Sequence, residues 1–181
     1  MREVQRGGRP GAAIVSIHSS PCDPPSLDLI TRWSSIREVV SHQCHLFIPF
    51  HRHMIKEFLD AATNGDIHIL RSLLDAKAEI KTMHDGSGNT ALMRAPQHGH
   101  VSCVRLLVDS KAELDVKDDI FEDTALMRAA EKGHSECVQL LIDAKASIEA
   151  KRYRGETAFM RAVLYNQTAC TRLLLHAKAN V

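Results

Sequence analysis

Apolar and polar positions recur along this chain with a fixed period. "TALMRAPQHGH" from Thr90, "TALMRAAEKGH" from Thr124 and "TAFMRAVLYNQ" from Thr157 share one pattern, and their threonines stand 34 and 33 residues apart. A second apolar pattern repeats in step: "CVRLLVDSKAEL" from Cys103, "CVQLLIDAKASI" from Cys137 and "CTRLLLHAKANV" from Cys170. A fainter copy, "EFLDAATNGDIHILRSLLDAKAEI", precedes them at 57–80. A period of this length marks stacked supersecondary units, each unable to bury its apolar face alone. The unit predicts two helices joined by a short turn, then a hairpin-like finger. The four helix pairs fall near 55–80, 90–112, 124–146 and 157–179.

These residues resemble the ankyrin repeat, with its T-P-L-H-x-A hallmark, a G-H pair, a leucine-rich second helix and a glycine-containing turn. Thr-Ala-Leu-Met stands for the hallmark at 90–93 and 124–127, and Gly99-His100 and Gly133-His134 match the G-H. The resemblance implies an all-α ankyrin-repeat solenoid over 53–181, with repeats at about 53–84, 85–118, 119–151 and 152–181. It implies a structural role for His100 and His134. Two departures change the expectation. Met93, Met127 and Met160 replace the family histidine that links neighbouring repeats through hydrogen bonds; a methionine fills the gap by packing instead. Lys77, Lys111, Lys145 and Lys178 replace glycine at a left-handed turn, at a cost on the order of 1 kcal/mol each.

Threonine at the start of each first helix predicts a side-chain cap. Pro96 sits about two turns into one of those helices, in register with Ala62, Ala130 and Val163. A proline there removes a backbone hydrogen bond and crowds the preceding turn. A kinked or early-ending helix is the expected consequence.

Residues 1–52 differ in composition and hold five of the six prolines. They read as a largely irregular segment with one short helix near 27–40, on the spacing of Leu29, Ile30, Trp33, Ile36 and Val40. Basic and acidic residues number 23 and 22, which gives no bulk attraction to nucleic acid or an anionic membrane. No apolar run reaches membrane-spanning length. Cys103, Cys137 and Cys170 share one apolar position about 10 Å apart, a helix-packing distance too great for a disulfide. A reduced cytoplasmic or nuclear monomer is therefore expected.

Candidate chemistry is thin. His98 and His100 form half a metal site with no third partner in register. The cluster of His42, Cys44, His45, His51 and His53 has zinc-binding residue types without zinc-binding spacing. No phosphate loop, nucleophile elbow or zinc-protease motif occurs, so neither catalysis nor a cofactor is expected. The resemblance implies a non-enzymatic module that binds a partner protein on its concave surface, either alone or as the regulatory or targeting part of a larger protein. A metal-binding module built on the His/Cys segment is a further alternative. Two groups of residues are candidates for the binding surface. Arg94, Arg128 and Arg161 share one position in three first helices. They form either a basic row or stems over apolar surface whose heads pair with acids such as Glu131. Ile120, Phe121, Tyr153, Leu164 and Tyr165 place large apolar side chains at finger tips and at the end of the last first helix. They serve either as contacts for a partner or as packing between fingers and over the end of the stack.

Overall fold

The computed structural model describes residues 47–75 and 84–179. Among the described residues eight helices stack as four pairs: α1 (Phe47–Asn64) with α2 (Ile67–Asp75), α3 (Ala91–Gln97) with α4 (Val101–Asp109), α5 (Ala125–Lys132) with α6 (Ser135–Asp143), and α7 (Ala158–Leu164) with α8 (Thr168–Ala179). First helices touch first helices from α1 through α3 and α5 to α7. Second helices form a parallel layer from α2 through α4 and α6 to α8. Among the described residues there is no strand; a single bridge pairs His84 with Thr90 at the first finger. The helix near 27–40, and His42, Cys44 and His45 of the His/Cys cluster, lie outside the described residues. α1 starts at Phe47, ahead of the expected boundary at 53, and carries His51 and His53. Pro49 falls in its first turn, where a missing N–H costs nothing.

Repeating residues occupy repeating environments. Phe58, Leu92 and Leu126 share one buried position in α1, α3 and α5. Leu107, Leu141 and Leu174 share another in the second helices. Each such side chain contributes about 1.5–3 kcal/mol on burial. Met93 and Met127 are 1% exposed and pack as expected, with Leu59 in their register in α1. Met160 departs from this expectation and is 53% exposed, because α7 has a helix pair on only one side among the described residues. Cys103, Cys137 and Cys170 are buried free thiols. Burial raises the pKa of all three, that of Cys137 to about 11.

The helix starts divide. Thr124 and Thr157 accept from the backbone N–H of Met127 and Met160. Thr90 makes no such cap, and its buried hydroxyl has no partner. Its carbonyl still accepts from the N–H groups of Met93 and Arg94, so the first turn closes through the backbone alone. α3 passes through Pro96 and ends at Gln97, one position earlier in register than α5. α7 ends at the same register position without a proline, so Pro96 does not set the helix end. At the second turn, Lys111 and Lys145 adopt φ of 60° and 72°, as the glycine-like position demands. Lys178 does not, because α8 continues through it to Ala179 and leaves no turn there.

Candidate functional site

The fingers are built around a residue at their base. In the first, the Asp85 carboxylate accepts from the N–H groups of Ser87 and Asn89 and from the Arg94 head at 2.6 Å. In the second, Asp118 accepts from the N–H of Ile120 at 2.9 Å, of Phe121 at 2.7 Å and of Asp123 at 3.2 Å. Its own N–H closes the loop onto the Asp123 carbonyl. This folds residues 118–123 tightly around one carboxylate and turns Ile120 and Phe121 outward. The third finger closes in the same way, from the Arg152 N–H to the Glu156 carbonyl. Here the base residue is a cation. Backbone bonds tie the fingers together, from Asp119 to the Ser87 carbonyl and from Tyr153 to the Phe121 carbonyl, each at 3.1 Å.

The base inversion rearranges the charges around it. Arg94 and Arg128 each pair with the acid of their own finger. Arg161 finds Arg152 in that place and pairs instead with Glu131 of the preceding repeat and with Glu156 at 3.5 Å. Arg152 lies 3.2 Å from Asp123 and 3.4 Å from Glu156. The Asp123 contact is close enough for an ion pair, but Asp123 Oδ1 and Arg152 Nε are not aligned for a hydrogen bond. Both guanidiniums stack on exposed aromatic rings, Arg152 on Phe121 at 5.2 Å and Arg161 on Tyr165 at 4.8 Å.

Each of the three first-helix arginines also reaches one register position in the preceding repeat. Arg94 donates to the Thr63 hydroxyl at 3.4 Å, Arg128 to the Gln97 side-chain carbonyl at 2.9 Å, and Arg161 to Glu131. Arg128 further donates to Asn89 and to Asp118. Beside this ladder runs another: His100 Nε2 donates to the Thr63 carbonyl at 2.8 Å, and Gln167 Nε2 to the Glu131 carbonyl at 3.2 Å. The inter-repeat contact therefore does not rest on packing alone. Hydrogen bonds from arginine, and from the His100/Gln167 position, supply what the methionines cannot.

Burial and bonding divide the acids. Burial works against ionised Asp118, but the N–H groups of Phe121 and Ile120 and the Arg128 head outweigh it and hold the carboxyl low. Glu131 is lowered in the same way, with burial opposed chiefly by Arg161. Asp85 lies well below the usual carboxylate range, burial being overcome by Arg94, Asn89 and Ser87. Asp123 is raised: its burial, with Asp118 nearby, exceeds the pull of Arg152.

Between the second and third fingers and the ends of α5 and α7 lies an open groove of about 650 Å³. It gathers seven of the eight candidate surface residues: Ile120, Phe121, Tyr153, Leu164, Tyr165, Arg128 and Arg161. Arg94 is not among them and sits with Asp85 at the first finger. The apolar members stay largely accessible, Tyr153 at 77% and Tyr165 at 47%. Arg152, Asp123 and Glu156 also line the groove and were not singled out from the sequence. Their signal was the alignment of Arg152 with Asp85 and Asp118, hidden because the second finger is one residue longer. The half metal site at His98 and His100 resolves into stacked rings 6.2 Å apart. Among the described residues no group of three or more His, Cys, Asp or Glu is placed to hold a metal ion. A family model described as ankyrin repeats (3 copies) matches residues 58–152 and, overlapping them, 110–181. No curated protein matches the chain.

Proposed function

The chain belongs to the ankyrin repeat family, and from that premise we propose that it is a non-enzymatic binding or scaffold module whose partner protein docks in the groove between the second and third fingers. Ankyrin repeats are typically protein-interaction modules, although a fold does not by itself fix a function. The reading is carried by one observation: Ile120, Phe121, Tyr153, Leu164 and Tyr165 are all exposed and all line one groove. Large apolar side chains left accessible together mark interaction surfaces. Tyr and Arg, both present here, are the residue types that dominate binding energy once desolvated.

The groove is also braced by contacts within the chain itself. Asp118 fixes the second finger, a backbone bond joins it to the third, and Arg152 and Arg161 brace two of the rings from beneath. A preformed surface spends less binding energy on ordering itself. The test is capture of proteins by the full chain and by a Phe121→Ala/Tyr153→Ala/Tyr165→Ala variant. The specific partner should be lost from the variant while its helical circular dichroism is retained. Equal capture by both proteins would remove the groove from the interface.

A further inference from the structure

The groove's charges indicate what kind of segment fits it, an inference that rests on the protein-binding reading above. Five cations line it: Arg128, Lys132, Arg152, Arg154 and Arg161. Most are already matched. Arg128 is held by Asp118, Arg152 by Asp123 and Glu156, and Arg161 by Glu131. Lys132 must share Glu131 with Arg161, at 3.3 Å, and its head is half exposed. Arg154 has no acid partner among the described residues and is exposed at the tip of the third finger, next to Tyr153. The acids within reach are thus outnumbered, and the surplus sits beside the accessible rings.

We infer that the groove receives an acidic segment of the partner protein, with a carboxylate on Arg154 and an apolar side chain against Phe121, Tyr153 and Tyr165. A guanidinium presents a planar fork that a carboxylate matches with two parallel hydrogen bonds. A second carboxylate would relieve the sharing at Lys132. The same cations and rings do not suit a nucleic-acid strand. Asp123, Glu131 and Glu156 line the groove, and a phosphate at every nucleotide would have to pass them. A peptide can space its charges to avoid them.

The experiment selects a displayed library of random peptides on the full chain. The enriched sequences are then synthesised with a fluorescent label and measured by anisotropy. The expected result is enrichment of Asp or Glu beside Leu, Phe or Trp. Binding should weaken about tenfold when those acids become amides or when Arg154→Glu is introduced. It should also weaken on going to about 0.5 M salt. Arg154 makes no contact that folding depends on, so this variant keeps the fold. Enriched peptides that are neutral or basic, yet still need Tyr153 and Tyr165, would overturn the acidic inference and leave the groove standing. Peptides indifferent to the Phe121/Tyr153/Tyr165 alanine variant would overturn both. So would a library that yields no binder. Tighter binding of a labelled oligouridylate than of any peptide would overturn the inference in favour of a nucleic acid.

Discussion

At the scale of single residues, arginine does the work that histidine does in the family hallmark. Arg128 is the fullest case, because its head serves Asp118 in its own finger and Gln97 and Asn89 in the preceding repeat. The Asp118 side chain is 1% exposed, so removing its cation leaves a buried carboxylate to backbone N–H groups alone. Breaking a pair of this kind costs about 3 kcal/mol. Arg94 pairs with Asp85, whose side chain is 24% exposed and can fall back on water. Arg128→Ala should therefore lower the free energy of unfolding in urea by clearly more than Arg94→Ala, which should cost about 1 kcal/mol. Equal losses would show that Arg128 does not bind the repeats together. The same residues set the response to acid. Asp85, Asp118 and Glu131 have folded pKa values below their unfolded ones, so the stability they add is complete above the unfolded values. It is lost as pH falls through the folded ones. Asp123, raised by burial, has the opposite sign and recovers stability as it is protonated. Three outweigh one, so Tm should drop as pH falls below about 4. Asp118→Asn together with Glu131→Gln should shallow that drop, and an unchanged pH profile in the double variant would contradict the assignment.

At the scale of elements, the turn between the two helices of a repeat lies close against the next repeat. Gly99 has φ of +78°, and a Cβ placed on it would lie 2.7 Å from the His134 ring of the next repeat. Gly155 has φ of +77° with nothing within 4 Å. Gly155→Ala should cost only the left-handed strain, about 1 kcal/mol. Gly99→Ala adds displacement of the ring and should cost about 2–3 kcal/mol. Similar losses in thermal unfolding would mean that His134 is free to move aside. In α3, Pro96 leaves the Leu92 carbonyl without its helical donor but keeps the helix to its register end. Pro96→Ala should restore that bond and raise stability by about 1–2 kcal/mol, part of the gain being offset by the freer unfolded chain. A fall in Tm would show that the proline ring itself packs better than alanine. The helices and their pairing were legible because the Thr-Ala-Leu-Met and Cys-x-x-Leu-Leu positions repeat in phase with a buried face. The cap lost at Thr90 and the turn lost at Lys178 were not. Both depend on local backbone geometry that two identical strings, or two in-phase lysines, do not reveal.

At the scale of the whole molecule, the repeats are alike in their core and unlike at their groove-facing ends. The register position that receives an arginine from the next repeat is Thr63, Gln97 and Glu131, and then Leu164, an exposed apolar residue. The left-handed position of Gly99 and Gly133 becomes Asn166, at φ of 57°. The finger base changes from Asp85 and Asp118 to Arg152. Two of these breaks, Leu164 and Arg152, line the groove, and the apolar ones were visible in the sequence as large side chains at variable positions. The charge exchange among Arg152, Asp123, Glu156 and Arg161 was not, because it depends on which finger lies beside which helix. The most direct measurement is hydrogen exchange of the full chain with and without a partner captured by it, read peptide by peptide. Protection is expected over residues 118–123, 151–156 and 161–165, with α4 and α6 unchanged. Protection confined to the second helices, with the fingers exchanging as in the free chain, would contradict this expectation.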